Sequence, residues 1–302
     1  MSSSTQNLEL CTAFLNVDGV RVRYIRVGSG PIVLLLHGMM GTLSDWQLVY
    51  GPLAAHAEVV ALDLPPFGMS DKPPVVYSLA FYADVLTRFV TALGLREVTL
   101  VGHSFGGKVA SYTAAMHPEW VSGLVLVASD GYLEKPKHYR AFAYEPLMRL
   151  TTKLAARFLP RFARGVFAPG TAIPAAFLRD AGAFFRDPAT PRALAAVGRS
   201  ERALDLMASD AAPLLAHLAA PVRILHGMKD RVMDPADARR AAAFLPHATL
   251  TLLPDAGHAI QIEQPQAVID AVLAMLTKGA SYVPAPVHMT PARTRITQEG
   301  KS

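Results

Sequence analysis

Glu97-Val98-Thr99-Leu100-Val101-Gly102-His103-Ser104-Phe105-Gly106-Gly107 decides how this chain is read. Residues 97–101 form a short, largely apolar and β-branched segment, the composition of a buried strand. Residues 107–116, Gly-Lys-Val-Ala-Ser-Tyr-Thr-Ala-Ala-Met, are small and suit a helix. Ser104 therefore stands at a strand-to-helix turn, pinched between glycines. That is a nucleophile elbow: small neighbours permit a sharp, strained turn that pushes the hydroxyl clear of the sheet. The residue after it opens a helix whose first amides favour negative charge.

A bare Gly-x-Ser-x-Gly is common in proteins, so the order of the surrounding segments carries the weight. Pro31-Ile32-Val33-Leu34-Leu35-Leu36 is an uninterrupted apolar run, as expected of a parallel strand covered on both faces. It leads into His37-Gly38-Met39-Met40-Gly41, a loop able to present backbone N–H groups. Further on, the strand Val222–Gly227 is followed by Met228-Lys229-Asp230, and the strand Ala248–Leu253 by Pro254-Asp255-Ala256-Gly257-His258. Ser104, Asp230 and His258 each lie just past the C-terminal end of a strand, where open α/β sheets build their sites.

With these residues in place, the chain resembles the α/β-hydrolase fold superfamily, of the capped serine esterase and lipase type. The matching motifs are His37-Gly38-Met39-Met40-Gly41, Asp63-Leu64-Pro65-Pro66-Phe67-Gly68-Met69-Ser70-Asp71, Gly102-His103-Ser104-Phe105-Gly106-Gly107, Gly227-Met228-Lys229-Asp230 and Gly257-His258. Together they span roughly residues 14 to 278 and are specific for the fold and for a serine nucleophile, not for substrate. Pro66 departs from the family, which more often has glycine there. The resemblance implies a mainly parallel eight-stranded sheet flanked by helices, with a helical cap inserted after the sixth strand. It implies a core domain of residues 1–130 and 213–278 and a cap of 131–212; the tail, 279–302, with Pro284, Pro286 and Pro291, scattered charges and few apolar residues, is expected to lack order.

A serine hydroxyl is a poor nucleophile until a base takes its proton, and imidazole is suited to that near neutral pH. His258 is the candidate base. His37 and His103 are read as structural, and His226 as a local packing residue. Asp230 is the candidate acid that orients the imidazole. Asp130, after the strand Leu124–Ala128, is its rival. Asp63 and Asp71 are expected to fix the loop around Phe67-Gly68, and Asp234 and Asp255 to serve turns or caps. By resemblance, the backbone amides of Met39 and Phe105 form the oxyanion hole. Met40, Phe67, Met69 and Ile260 are expected pocket neighbours, though core packing explains each equally well.

The function implied is a serine hydrolase cleaving small to medium apolar carboxylic esters, with no cofactor and no metal. Alternatives keep the triad and change the bond: a C–C hydrolase, a lactonase, a thioesterase or a cofactor-free haloperoxidase. In C–C hydrolases of ring-cleavage products Asn commonly precedes the serine, so His103 weighs against that option. A binding protein that turns over little is a further alternative.

At 302 residues the chain can hold one large α/β domain and an insertion. The single cysteine, Cys11, excludes a disulfide framework. The polar N-terminus resembles no secretory signal, and no apolar run reaches the ~20 residues that span a bilayer. The expectation is a cytoplasmic protein with a small apolar ester as its partner, no nucleic acid and no stable membrane insertion. A homodimer is left open.

Residues 131–212 lack strand-like runs, and prolines punctuate helical pieces there. They carry thirteen Lys and Arg against seven Asp and Glu, a difference of +6 beside the whole chain's +5. Arg149, Lys153, Arg157 and Arg161 recur every four residues beside Leu150, Leu154 and Phe158, until Pro160 disturbs the helix. This stripe is read as a solvated face with snorkelling side chains; the alternative is a lid that touches anionic lipid or guides acidic substrates. The aromatics Phe142, Tyr144, Phe158, Phe162, Phe167, Phe177, Phe184 and Phe185 are expected mostly to pack between cap and core.

Overall fold

A computed structural model of the chain describes residues 12–132 and 143–278. Cys11, Phe142 and the 279–302 tail lie outside these residues. An opening hairpin joins β1 (Ala13–Val17) to β2 (Val20–Gly28). Asp18 and Gly19 both have positive φ, 47° and 85°, the backbone of a type I′ turn. The Asn16 side chain secures it by accepting the Gly19 amide at 2.7 Å.

β3 (Ile32–Leu36) follows, then a short 3₁₀ turn at Leu43–Trp46 and α1 (Gln47–Ala54). Next come β4 (Glu58–Leu62), α2 (Leu79–Ala92), β5 (Val98–His103), α3 (Phe105–Met116) and β6 (Val121–Val127). Between β6 and β7 the described residues form helices: α4 (Glu145–Arg157), α5 (Leu159–Ala163), α6 (Ala175–Arg186), α7 (Thr190–Arg199) and α8 (Ala211–Leu215). β7 (Val222–Gly227), α9 (Pro235–Phe244), β8 (Ala248–Leu253), α10 (Ile260–Glu263) and α11 (Pro265–Lys278) complete the chain. Asp234 caps α9, its side chain accepting the Ala236 amide at 2.8 Å.

The eight strands form one sheet in the order β1-β2-β4-β3-β5-β6-β7-β8. β1 and β2 pair antiparallel, as does β2 with β4; all other neighbours are parallel. The apolar runs divide by parity. Leu34, Leu36, Leu100, Leu124 and Leu126 face one core with α2 and α3, while Val33, Leu35, Val101, Val125 and Val127 face the other with α1 and α11. Alternate side chains point to opposite faces, so a strand buried on both sides must be apolar at every position. This arrangement brings the C-terminal ends of the parallel strands β3, β5, β7 and β8 to the same edge of the sheet, with β6 between β5 and β7.

Of the insertion's described aromatics, Phe177 and Phe185 pack against buried clusters, and three turn outward. Phe167 and Phe184 are buried, but Tyr144, Phe158 and Phe162 are exposed. The reason is the inward face of α4 and α5, which consists of Met148, Thr152, Leu159 and Ala163. Those modest side chains take the contact, and the larger ones point out.

Candidate active site

Ser104 holds φ 50° and ψ −117°, left-handed for a residue with a Cβ. Such a conformation costs on the order of 1–3 kcal/mol and persists only where the surroundings hold it. Here its N–H donates to Val127 O at 2.9 Å, and its carbonyl accepts from Gly107 and Asp130 amides at 2.9 and 3.2 Å. The flanking glycines are required by close approach. A Cβ at Gly102 would collide with the Gly106 carbonyl and Gly107 Cα, and one at Gly106 with the carbonyls of Leu36 and His37. Ser104 itself is half-buried. Phe105 opens α3, so its amide belongs to the helix turn that has no intrahelical acceptor.

His258 Nδ1 donates to Asp230 Oδ2 at 2.8 Å. The other oxygen of Asp230 accepts the amides of Val232 and Met233 at 2.7 and 2.9 Å. Burial alone would raise this carboxyl, but the bond and charge of His258 and the two amides hold it below its ordinary value. Asp230 is thus an anion that fixes His258 with Nδ1 protonated, leaving Nε2 as the basic atom. His226 also approaches Asp230 Oδ2, at 3.4 Å, while its Nε2–H bonds Met233 O at 3.2 Å.

The base loop meets the elbow through His103. Its Nε2–H donates to His258 O at 2.9 Å, and the two rings lie 4.8 Å apart between centroids. Burial, and then the neighbouring His258, push His103 down to about 3, so it stays neutral. Ser104 follows His103 directly in the chain. The sequence-derived set is therefore gathered at one corner of the sheet, with Asp230 bonded to His258 and His258 packed on the residue before Ser104. Asp130 is engaged elsewhere: it forms a buried ion pair with Lys108 Nζ at 2.9 Å.

The loop after β3 passes over the elbow, since a side chain at Gly38 would stand 3.3 Å from Ser104 Cβ. Its turn closes by Gly41 N–H on Gly38 O at 3.0 Å, with Met40 at φ 62°. His37 Nδ1–H donates to Gly38 O at 2.7 Å, and its Nε2 accepts the Leu64 amide at 2.9 Å. Asp63 accepts the amides of Leu43 and Met69 at 2.7 and 2.8 Å, tying this loop to the one carrying Phe67. The Pro65–Pro66 peptide there is cis. Phe67 is fully buried, with ring centroids 6.2 Å from Phe105, 6.0 Å from Phe184 and 5.9 Å from His37.

The other expected pocket residues divide. Met39 and Met40 are partly buried against the first core cluster. Ile260 is fully buried in the second, among Val33, Leu35 and Trp46. Met69 is exposed and faces a cleft of about 700 Å³ between core and insertion, lined also by Arg21, Arg23, Lys72, Arg179 and Asp187. Among the described residues no cluster of His, Cys, Asp and Glu could hold a metal ion.

Sequence reasoning missed Glu263. Its carboxylate accepts the amides on either side of the base, Gly257 at 3.1 Å and Ala259 at 3.2 Å. The same group accepts Ala168 N–H at 2.8 Å and Thr171 Oγ1–H at 3.3 Å, both from the insertion. The His258 amide itself donates to Val166 O at 2.9 Å. A Glu five residues past the histidine, closing the short helix α10, was the available signal.

Residues 31–265 match the sequence profile of the alpha/beta hydrolase fold family. The chain belongs to that family. It is 32% identical over 287 residues to an uncharacterised protein of Mycobacterium tuberculosis, covering 89% of this chain and 82% of that one. It is 27% identical over 282 residues to a 2-hydroxy-6-oxo-6-(2'-aminophenyl)hexa-2,4-dienoic acid hydrolase of Metapseudomonas resinovorans, covering 90% and 93%. Among solved structures, a thermophilic esterase from Thermogutta terrifontis superposes with a TM-score of 0.75 at 26% identity, covering 89% of this chain and 99% of that one.

Proposed function

We propose that this α/β-hydrolase cleaves carboxylic esters of small to medium apolar acids through an acyl-enzyme on Ser104. Ser104 Oγ attacks the ester carbonyl carbon while His258 Nε2 takes its proton. The negative oxygen that forms is held by the amides of Met39 and Phe105, each such donor being worth ~3–4 kcal/mol of transition-state stabilisation. Collapse breaks the C–O bond, and the alkoxide leaves with the proton from His258. Water then attacks the acyl group, giving a proton to His258, and Ser104 departs as the free alcohol.

The observation that carries this reading is the Asp230–His258 hydrogen bond set against the elbow bearing a strained Ser104. The buried aromatic cluster of Phe67, Phe105 and Phe184, which adjoins the elbow through Phe105, supports an apolar acyl group. The bond between Val166 O and the His258 amide supports the insertion as a cap over the site. A fluorophosphonate probe is expected to label the protein, and Ser104→Ala to abolish both labelling and turnover of p-nitrophenyl esters. Labelling that survives in the Ala variant removes the elbow assignment. The Metapseudomonas resinovorans relative makes C–C hydrolysis the second reading. Labelling of Ser104 with no turnover anywhere in an ester chain-length series favours it.

A further inference from the structure

Along α4 and α5 the side chains of Tyr144, Leu147, Leu150, Leu154, Phe158 and Phe162 are between 39% and 65% exposed. Their spacing of three and four residues puts them along one side of the helical segment. The opposite side is the one that holds the helices to the protein. These two helices therefore carry an inward face and an apolar outward row, and among the described residues that row is largely uncovered, Phe162 alone meeting the Phe185 ring edge-on at 6.2 Å. Single exposed apolar residues are ordinary, but a contiguous row marks an interaction surface.

A second feature lies beside the row. Arg149, Lys153, Arg157, Arg161 and Arg164 flank it, and Glu145 is the sole acid between residues 143 and 178. Glu145 is tied to Arg149 at 2.7 Å. Arg157 lies over the Phe158 ring at 5.7 Å, so the cationic and apolar rows touch. The reading of this stripe as a merely solvated face does not account for the outward Leu150, Leu154 and Phe158.

We propose that the α4–α5 face docks reversibly on an anionic lipid surface. Apolar side chains would enter the interface while the neighbouring cations meet lipid phosphates, their long stems lying along the apolar boundary. Charge decides against a second copy of this chain as the occupant. A symmetric contact would set one basic row against another, whereas an anionic bilayer offers both apolar depth and opposite charge. Docking is peripheral: α4 has 13 residues, and no helix among the described residues is long and apolar enough to cross a membrane. The face is continuous with the site, because α5 runs into Val166, whose carbonyl accepts the His258 amide. The proposal goes beyond ester hydrolysis and stands or falls by binding alone.

The test is co-sedimentation of the full chain with vesicles of phosphatidylcholine alone or mixed with phosphatidylglycerol. The protein is expected to pellet with the mixed vesicles only, and to be released as salt rises from about 50 mM to about 500 mM. R149Q/K153Q/R157Q should weaken partitioning on the order of 100-fold, since each cation near an anionic surface contributes about fivefold. L150S/L154S/F158S should abolish it. All six positions are exposed, so both variants should keep the thermal midpoint and the fluorophosphonate labelling of the parent. Three results overturn the proposal: no pelleting with mixed vesicles, equal pelleting with neutral ones, or undiminished binding by either variant. A dimer in sedimentation velocity that L150S/L154S/F158S dissociates, without vesicle binding, gives the face to a second copy instead.

Discussion

At the scale of single residues, Asp130 and Asp230 were two candidates for one role, and the structure gives them different work. Asp230 spends its charge on His258 and two amides; Asp130 spends its own on Lys108 within a nearly dry site. Their variants should therefore separate activity from stability. Asp230→Asn keeps an uncharged partner in place but offers the wrong hydrogen-bonding pattern to the imidazole. It should lower kcat by up to about 10⁴-fold with little change in the urea midpoint. Asp130→Asn strands a buried ammonium and should cost about 3–5 kcal/mol of stability, with kcat per folded molecule nearly intact. Ester turnover normalised by active-site titration, together with urea unfolding, checks both, and a reversal of the two results transfers the catalytic role. The placement of Ser104, Asp230 and His258 was legible because each lies past the end of a strand that its own pattern reveals. Lys108 and Glu263 were not legible, because each is explained only by its partners, and Asp130 for one and Ala168 and Thr171 for the other are distant in sequence. A lysine in the otherwise small and apolar α3 was the hint for Lys108, as the Glu five residues past His258 was for Glu263.

At the scale of elements, the strands were readable and the insertion less so. A strand buried on both faces needs apolar residues throughout, so β3 and β5 show themselves within a few residues. The α4 segment repeats its basic and its apolar rows with the same period, and periodicity cannot say which row turns inward. In fact neither does; Met148, Thr152 and Ala163 do, and they give a weak signal. What fastens the insertion to the base loop is Glu263, bonded to residues 168 and 171 on one side and to 257 and 259 on the other. Glu263 bonds the amides beside His258 and not its ring, so under the proposed mechanism it would serve as a positioning residue. A displacement of ~1 Å in a catalytic group can cost 100-fold in rate. Glu263→Ala is expected to reduce kcat roughly 10- to 100-fold and to slow fluorophosphonate labelling in parallel. Glu263→Gln, whose side-chain oxygen still accepts amides, should recover much of that loss. Steady-state kinetics of the two variants decide it: equal kcat for Ala and parent leaves the clamp without a role.

At the scale of the whole molecule, the same two-sided burial that defines the sheet also shuts ionisable groups away from water. Burial depresses His37, His103 and His226, favouring the neutral form of each. In the unfolded chain each would take a proton near its ordinary value of about 6.5. Below that pH the unfolded state binds more protons than the folded one, so stability must fall as pH falls, by up to ~1.4 kcal/mol per pH unit for each histidine. For His103 the window runs from about 6.5 down to about 3. Asp45 works the other way. Burial raises its carboxyl to about 7, so over the interval between the ordinary carboxylate range and 7 the folded state holds a proton that the unfolded state has released. Its contribution is largest in acid and is lost as pH rises through 7. His37 and His226 pull in the same direction as His103 and against Asp45, so the net slope is expected to carry the histidines' sign. Urea midpoints followed by Trp46 and Trp120 fluorescence should be level from pH 8 to 7 and decline toward pH 5. His103→Asn should make the decline shallower and Asp45→Asn steeper, because each removes one of the opposing terms. A midpoint that holds level or rises on acidification, or variants that change the slope in the opposite sense, means that water reaches these groups in the folded state.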